Sequence, residues 1–109
     1  MRLAGLIGPG RNPGQFTAGK TLANAQAPVN LVDGRDVVRF IQLLIKNKDA
    51  QGIYNLCFPS HPTKSSYYTQ KCNELNLTPP AFTNQDHQGK QVGSKRTSQE
   101  LGFQYWHTI

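Results

Sequence analysis

At 109 residues the chain has the length of one domain, and a globule of this size buries roughly two-thirds of the surface its unfolded chain exposes. With 37% hydrophobic residues and a mean hydropathy of −0.54 it can build one modest core, and no run approaches the ~18 apolar residues of a membrane span. The net charge of +6, with a pI near 9.6, favours anionic partners, yet the cations are scattered, with no run of five to mark a nucleic-acid tract.

Residues 2–7 (RLAGLI) read as a short buried strand stopped by Gly8-Pro9-Gly10. A core strand opening at the second residue is expected to find its neighbours elsewhere in the chain or in another molecule. Residues 11–28 are rich in Gly, Asn, Gln and Pro, with a short helix expected around Phe16 to Ala25. VNLV (29–32) reads as a strand buried on one face. The strongest signal follows over 33–48. Asp33 can cap a helix that Asp36 supports near its positive end. Val37, Val38, Ile41, Leu44 and Ile45 keep the 3.6-residue period. Phe40 and Leu43 widen that face, predicting a helix buried on more than one side, and Lys46 and Lys48 suit its negative end. After Gly52, IYNLCF (53–58) predicts a strand. Ser60 or Thr63 then caps a second helix reaching about Asn76, with Tyr68, Cys72 and Leu75 as its stripe, and Pro79-Pro80 stops it. A short strand is expected at Lys90–Val92. Ser98 to Gly102 predicts a turn or two of helix on a Gly C-cap, and Phe103, Tyr105 and Trp106 form a docking aromatic tail.

Candidate chemistry is sparse. Cys57 and Cys72 lack C-x-x-C spacing and read as reduced core thiols of a cytoplasmic protein. Gly8 to Arg11 (GPGR) could bring backbone N–H groups and a guanidinium to a phosphate, although a plain tight turn is the simpler reading. Neither GxGxxG nor GxxxxGK[ST] occurs. His61, His87 and His107 give no convergent metal set; His61, at a strand-to-helix junction, is a candidate ligand contact. Tyr67-x-x-x-Lys71 has the spacing of a Tyr/Lys catalytic pair, but it lies late in the chain with no dinucleotide loop before it, and reads as coincidence.

The segments RLAGLIGPGR, NPGQFTAGK, APVNLVDGRDVVRFIQLLI, GIYNLCFPSHPTKSSYYTQ and SQELGF occur in this order over nearly the whole chain. Together they resemble the C-terminal part of the NAD(P)-dependent epimerase/dehydratase proteins, the extended or atypical short-chain dehydrogenase/reductases. The resemblance implies an α/β, partial Rossmann-type fold: a single C-terminal substrate-binding lobe over 1–109, with a few short strands and two main helices, lacking the N-terminal dinucleotide-binding part. It implies that Arg2, Gly8, Pro9, Gly10 and Arg11 match the strand and loop leading into the substrate lobe, and that Ala4 and Gly5 pass the nicotinamide end of the cofactor once the missing half is present. Asp36 matches an acid of the family pattern and, with Arg2, Gly8, Pro9, Gly10, Arg11 and His61, is an expected substrate contact, whereas Asp33 stands where a His is common. The family's Gly-rich loop, catalytic Ser and YxxxK would lie upstream of Met1. The resemblance therefore implies a fragment incomplete for catalysis, with no cofactor in isolation, NAD(P) in a full-length parent, and a phosphorylated or nucleotide-sugar ligand.

Two further expectations stand beside it. The charge suggests a small basic module for nucleic acid or a protein partner. The opening strand and broadly apolar helix suggest a homodimer, or association with a dinucleotide-binding half.

Overall fold

The computed structural model of the protein describes residues 1–47, 49–85 and 89–109. The chain is a mixed α/β protein built from short parallel strands and helices, organised as two compact units, each discontinuous in sequence.

The first unit comprises Met1–Gly8, Asn30–Ser60 and Val92–Ile109. The predicted opening strand divides in two, β1 (Arg2–Leu3) and β2 (Gly5–Ile7), because the chain changes neighbour between them. β1 pairs in parallel with β5 (Asn55–Leu56), and β2 pairs in parallel with β4 (Leu31–Asp33). The switch falls at Ala4 and Gly5: the Ala4 N–H donates to the Leu56 carbonyl and the Gly5 N–H to Asn30. This strand is not the buried element its composition predicts, since only Ile7 of Arg2–Ile7 is fully buried. VNLV becomes β4 two residues later than expected, and IYNLCF is extended enough to pair only at Asn55 and Leu56.

Helix α2 (Gly34–Lys46) follows β4 directly and starts where its cap predicts, with the Asp33 carboxylate accepting the Arg35 N–H. Lys48 lies outside the described residues. The helix is not buried on several sides. Asp36, Val37 and Phe40 face inward with Leu43 and Leu44 half-buried, whereas Val38, Ile41 and Ile45 are exposed. The core gathers Val32, Val37, Phe40, Tyr54, Leu56 and Phe103. Phe40 meets Phe103 edge-on at 5.3 Å between ring centroids, and Phe103 meets Tyr105 at 5.1 Å, so Phe103 and Tyr105 of the aromatic tail dock as predicted, whereas Trp106 stays exposed. Helix α4 (Lys95–Leu101) ends on Gly102 at φ 65°, the left-handed cap read from the sequence. No strand occurs at 90–92; the Val92 N–H donates instead to the Asn30 side chain at 2.7 Å.

The second unit comprises Pro9–Val29 and His61–Gln91. The helix expected around Phe16 to Ala25 forms earlier, as α1 (Pro13–Thr17), because Asn12 caps it and Pro13 fills the first position, where no N–H is needed. Thr21–Leu22, inside that expected span, is instead strand β3, parallel to β6 (Ala81–Phe82). Helix α3 (Lys64–Glu74) starts at Thr63, the second of the two predicted caps. Its buried side chains are Tyr67 and Cys72; Tyr68 is only half-buried and Leu75 is exposed past the helix end. α1 lies against α3 at Gly14, where a Cβ would come within 2.6 Å of the Lys71 carbonyl oxygen. Cys72 seals the contact, its Sγ lying 3.4 Å from the Gly14 carbonyl oxygen and 3.6 Å from the Thr17 hydroxyl. Cys57 and Cys72 are both free thiols, each buried within its own unit.

Candidate functional site

The residues expected on the ligand side divide between the units: Arg2, Ala4, Gly5, Gly8 and Asp36 in the first, Pro9, Gly10, Arg11 and His61 in the second.

In the first unit Arg2 is exposed on β1, and its N–H donates to the Tyr54 carbonyl at 2.8 Å. Ala4 packs on the core, and at Gly5 a Cβ would stand 2.7 Å from Leu31 Cδ2, so a larger residue there would require the Leu31 side chain to shift. Gly8, at φ 129°, has a backbone that L side chains rarely adopt, and its absent Cβ would face the Asp33 carboxylate at 3.1–3.3 Å. Asp33 is thus both helix cap and the floor beneath Gly8. Arg35 grips the same carboxylate through Nε at 2.9 Å and Nη2 at 2.8 Å. Hydrogen bonding from that guanidinium holds the Asp33 carboxyl below the usual carboxylate range against the opposing effect of burial.

Asp36 is engaged within the chain itself. It is wholly buried, and its oxygens accept the Trp106 N–H at 3.1 Å, the His107 N–H at 3.0 Å, Arg39 Nη1 at 3.0 Å and the His107 ring Nδ1–H at 3.1 Å. Burial alone would push its carboxyl up, but the donors from His107, Trp106 and Arg39 outweigh it and hold the pKa down. The carboxylate is consumed as an anchor for the chain's last residues. Sequence reading could see the acid in the first turn of α2, but nothing local points to donors at positions 106 and 107.

In the second unit Pro9 and Gly10 form an exposed turn, with Gly10 at φ 79°, and Arg11 sets its guanidinium 5.7 Å from the Phe16 ring centroid. The tight turn expected of GPGR is therefore present. His61 is half-buried, with Nδ1 3.0 Å from the Val29 carbonyl oxygen; a carbonyl only accepts, so Nδ1 carries a proton. His87 lies outside the described residues.

Tyr67 and Lys71 lie one turn apart on α3, with the ammonium 5.4 Å from the Tyr67 ring and 3.6 Å from Glu74. Burial, with Tyr68 and Glu74 adding to it, raises the Tyr67 pKa, the opposite of what a general base requires. Burial also raises the Cys57 thiol, away from nucleophilic character. No group of three or more His, Cys, Asp or Glu residues able to hold a metal occurs among the described residues, and none of the described helices is long and apolar enough to cross a membrane.

At the turn from β4 into α2 the residues present do not match the loop that receives a dinucleotide. Its pyrophosphate needs a glycine-rich turn opening on a bare helix N-terminus. The strand-to-helix turn from β4 into α2 is closed by the ionised Asp33 cap, whose charge repels a phosphate.

This arrangement defines a class of fold. The chain is a Rossmann-type α/β piece resembling part of sugar-nucleotide epimerase structures. It superposes with TM-score 0.73 on UDP-N-acetylglucosamine 4-epimerase from Bacillus cereus, at 17% identity, covering 98% of this chain and 40% of that one. MoeE5 in complex with UDP-glucuronic acid and NAD gives TM-score 0.72 at 18% identity, covering 98% and 41%. A functionally unknown conserved protein from Silicibacter pomeroyi gives 0.73 at 17% identity, covering 97% and 43%. The resemblance to NAD(P)-dependent epimerase/dehydratase proteins thus holds at the level of the fold. No protein-family model matches the chain. Among individual proteins, the chain is 45% identical over 107 residues to Protein YeeZ of Escherichia coli strain K12, and equally to that of strain O157:H7, a stretch covering 96% of this chain and 39% of each relative. The chain therefore spans about two-fifths of the length of the curated relatives it matches.

Proposed function

We propose that this chain is the C-terminal substrate-binding piece of a cytoplasmic, nucleotide-sugar epimerase/dehydratase-like NAD(P)-dependent oxidoreductase, incomplete for catalysis alone. The observation that carries the reading is coverage: nearly all of the chain matches only 39–43% of each similar protein, while no dinucleotide loop is present in its own sequence.

The surface of the first unit supports it. Gly34, Val38, Ile41 and Ile45 follow helical i, i+4, i+7, i+11 spacing and make one face of α2, opposite in character to the buried stripe. Leu6 Cδ1 lies 3.7 Å from where a Gly34 Cβ would be, so the face continues onto β2, and Leu3 on β1 is exposed as well. Parallel strands are normally covered on both faces and flanked by further strands. In this reading a dinucleotide-binding half covers that apolar face and continues the sheet, bringing the nicotinamide end of NAD(P) past Ala4 and Gly5. MoeE5 carries both UDP-glucuronic acid and NAD, which supports a nucleotide-sugar as the ligand class. Arg11, with the Pro9–Gly10 turn and His61, supplies ligand contacts from the second unit; Arg2 and Gly8 are further candidates in the first.

Titration calorimetry of the purified chain tests the reading. A UDP-sugar is expected to bind weakly, with the heat lost in Arg11→Ala, and NADH is expected to give no saturable fluorescence change. Micromolar NADH binding, or turnover by the chain alone, would overturn it.

A further inference from the structure

The outward faces of α2 are of two kinds. Beside the apolar stripe runs a polar one, Arg35, Arg39, Gln42 and Lys46, spaced at four, three and four residues. Its last three members, with Phe103, Gln104 and Trp106, line a cavity of about 320 Å³, at the small end of the range for small-molecule sites. All of these residues belong to the first unit.

Three features give the cavity a chemistry. Trp106 is 69% exposed, an unusual cost for the largest apolar side chain, yet it is held in place. Its backbone N–H is bound by buried Asp36, and the Arg39 guanidinium lies 3.4 Å from its ring centroid. One indole face is thus covered by a cation, while the side chain as a whole stays largely exposed. Arg39 is tied back to the chain: Nη1 donates to Asp36 at 3.0 Å and to the Gln104 carbonyl at 2.7 Å. Lys46 is exposed and forms no ion pair among the described residues, and no acidic side chain lines the cavity. Its balance of side-chain charge, counting the Asp36–Arg39 pair as neutral, is one positive charge on Lys46.

We propose that this cavity binds a planar heteroaromatic ring carrying an anionic group, of the nucleoside monophosphate class. The ring stacks on the exposed Trp106 indole and the phosphate pairs with Lys46. Aromatic stacking is tolerant of base identity, and an indole already fixed by Arg39 and Asp36 loses little freedom on binding. The site is separate from the nucleotide-sugar contacts proposed above and does not rest on them.

Trp106 is the single tryptophan of the chain, so its fluorescence reports this cavity alone. Titration of the whole chain with adenosine 5′-monophosphate is expected to quench the indole emission saturably. Adenosine, or Lys46→Gln with the monophosphate, is expected to bind roughly three- to fivefold more weakly, the upper part of the range of an exposed ion pair. Inorganic phosphate alone should leave the emission unchanged. Trp106→Ala removes an exposed side chain, is expected to leave the circular dichroism spectrum unchanged, and should abolish the binding heat in calorimetry. Linear, non-saturating quenching, equal responses to adenosine and its monophosphate, or undiminished heat in Trp106→Ala would overturn the proposal. The last outcome would place the ligand elsewhere and leave the nucleotide-sugar reading standing.

Discussion

Substituting Asp36 by Asn tests how the last residues of the chain are held. The carboxylate offers two oxygens to four donors: the Trp106 and His107 N–H groups, Arg39 Nη1 and the His107 ring. An amide has one oxygen, and its NH2 would point a donor at donors. Hydrogen bonds to a charged group are worth about 1.5–3 kcal/mol each. Not all four are forfeited, because the tail from Trp106 onward can detach and be solvated, which caps the loss. The expected destabilisation is about 3 kcal/mol, a fall in melting temperature of roughly 12–20 °C for a domain of this size. Thermal melts followed by circular dichroism measure it, and the emission of Trp106, freed from Arg39, reports the released tail. The pH dependence has a definite sign. The folded-state pKa of Asp36 is depressed below its ordinary value of 3.8, so its contribution is fully present above that value and is lost as pH falls through the lower folded value. Asp33, likewise depressed, adds to the same acid loss. Wild-type stability should therefore fall below about pH 4, and Asp36→Asn should fall less steeply there while keeping the share due to Asp33. An unchanged melt within ~0.5 kcal/mol, the range of an ordinary surface substitution, together with an unaltered acid profile would refute the reasoning.

Two more substitutions probe the two units separately. Gly14→Ala would press a methyl group to 2.6 Å from the Lys71 carbonyl oxygen, where backbone rather than a flexible side chain must yield. A loss of about 1–3 kcal/mol in denaturant-midpoint stability is expected, and no loss would mean that α1 slides freely on α3. On the open face of α2, Ile41→Lys is expected to change stability by less than about 0.5 kcal/mol, because Ile41 is already exposed. The isolated chain is expected to self-associate through that face in sedimentation, and the same substitution to make it monomeric; a wild-type chain that is already monomeric at high concentration rules this out.

Local chemistry was legible. The caps Asp33 and Thr63, the Gly102 stop and the extent of α2 and α3 lie in short stretches of sequence whose side chains bond to their own backbone neighbours. The aromatic tail was legible too, since Phe103 and Tyr105 have no other reason to cluster. The strands were less so. β1 and β5 are two residues each, too short for a period, and their parallel partners are remote in sequence, so apolar content alone overstated their length and burial. In α1, Gln and Gly blurred the pattern, and the start was set by an Asn-Pro pair that composition passed over.

From its sequence alone this protein is an α/β chain with two capped helices, a glycine-proline turn and the ordered segments of an epimerase-like fold, because those properties depend on neighbours along the chain. Only the tertiary structure decided what its polar residues do. Asp36 became an anchor, Asp33 the floor under Gly8, Tyr67 a buried side chain of α3 and Trp106 an exposed ring. Each of those roles depends on burial or on a partner far away in sequence, and no periodicity records which distant donor will reach a given carboxylate.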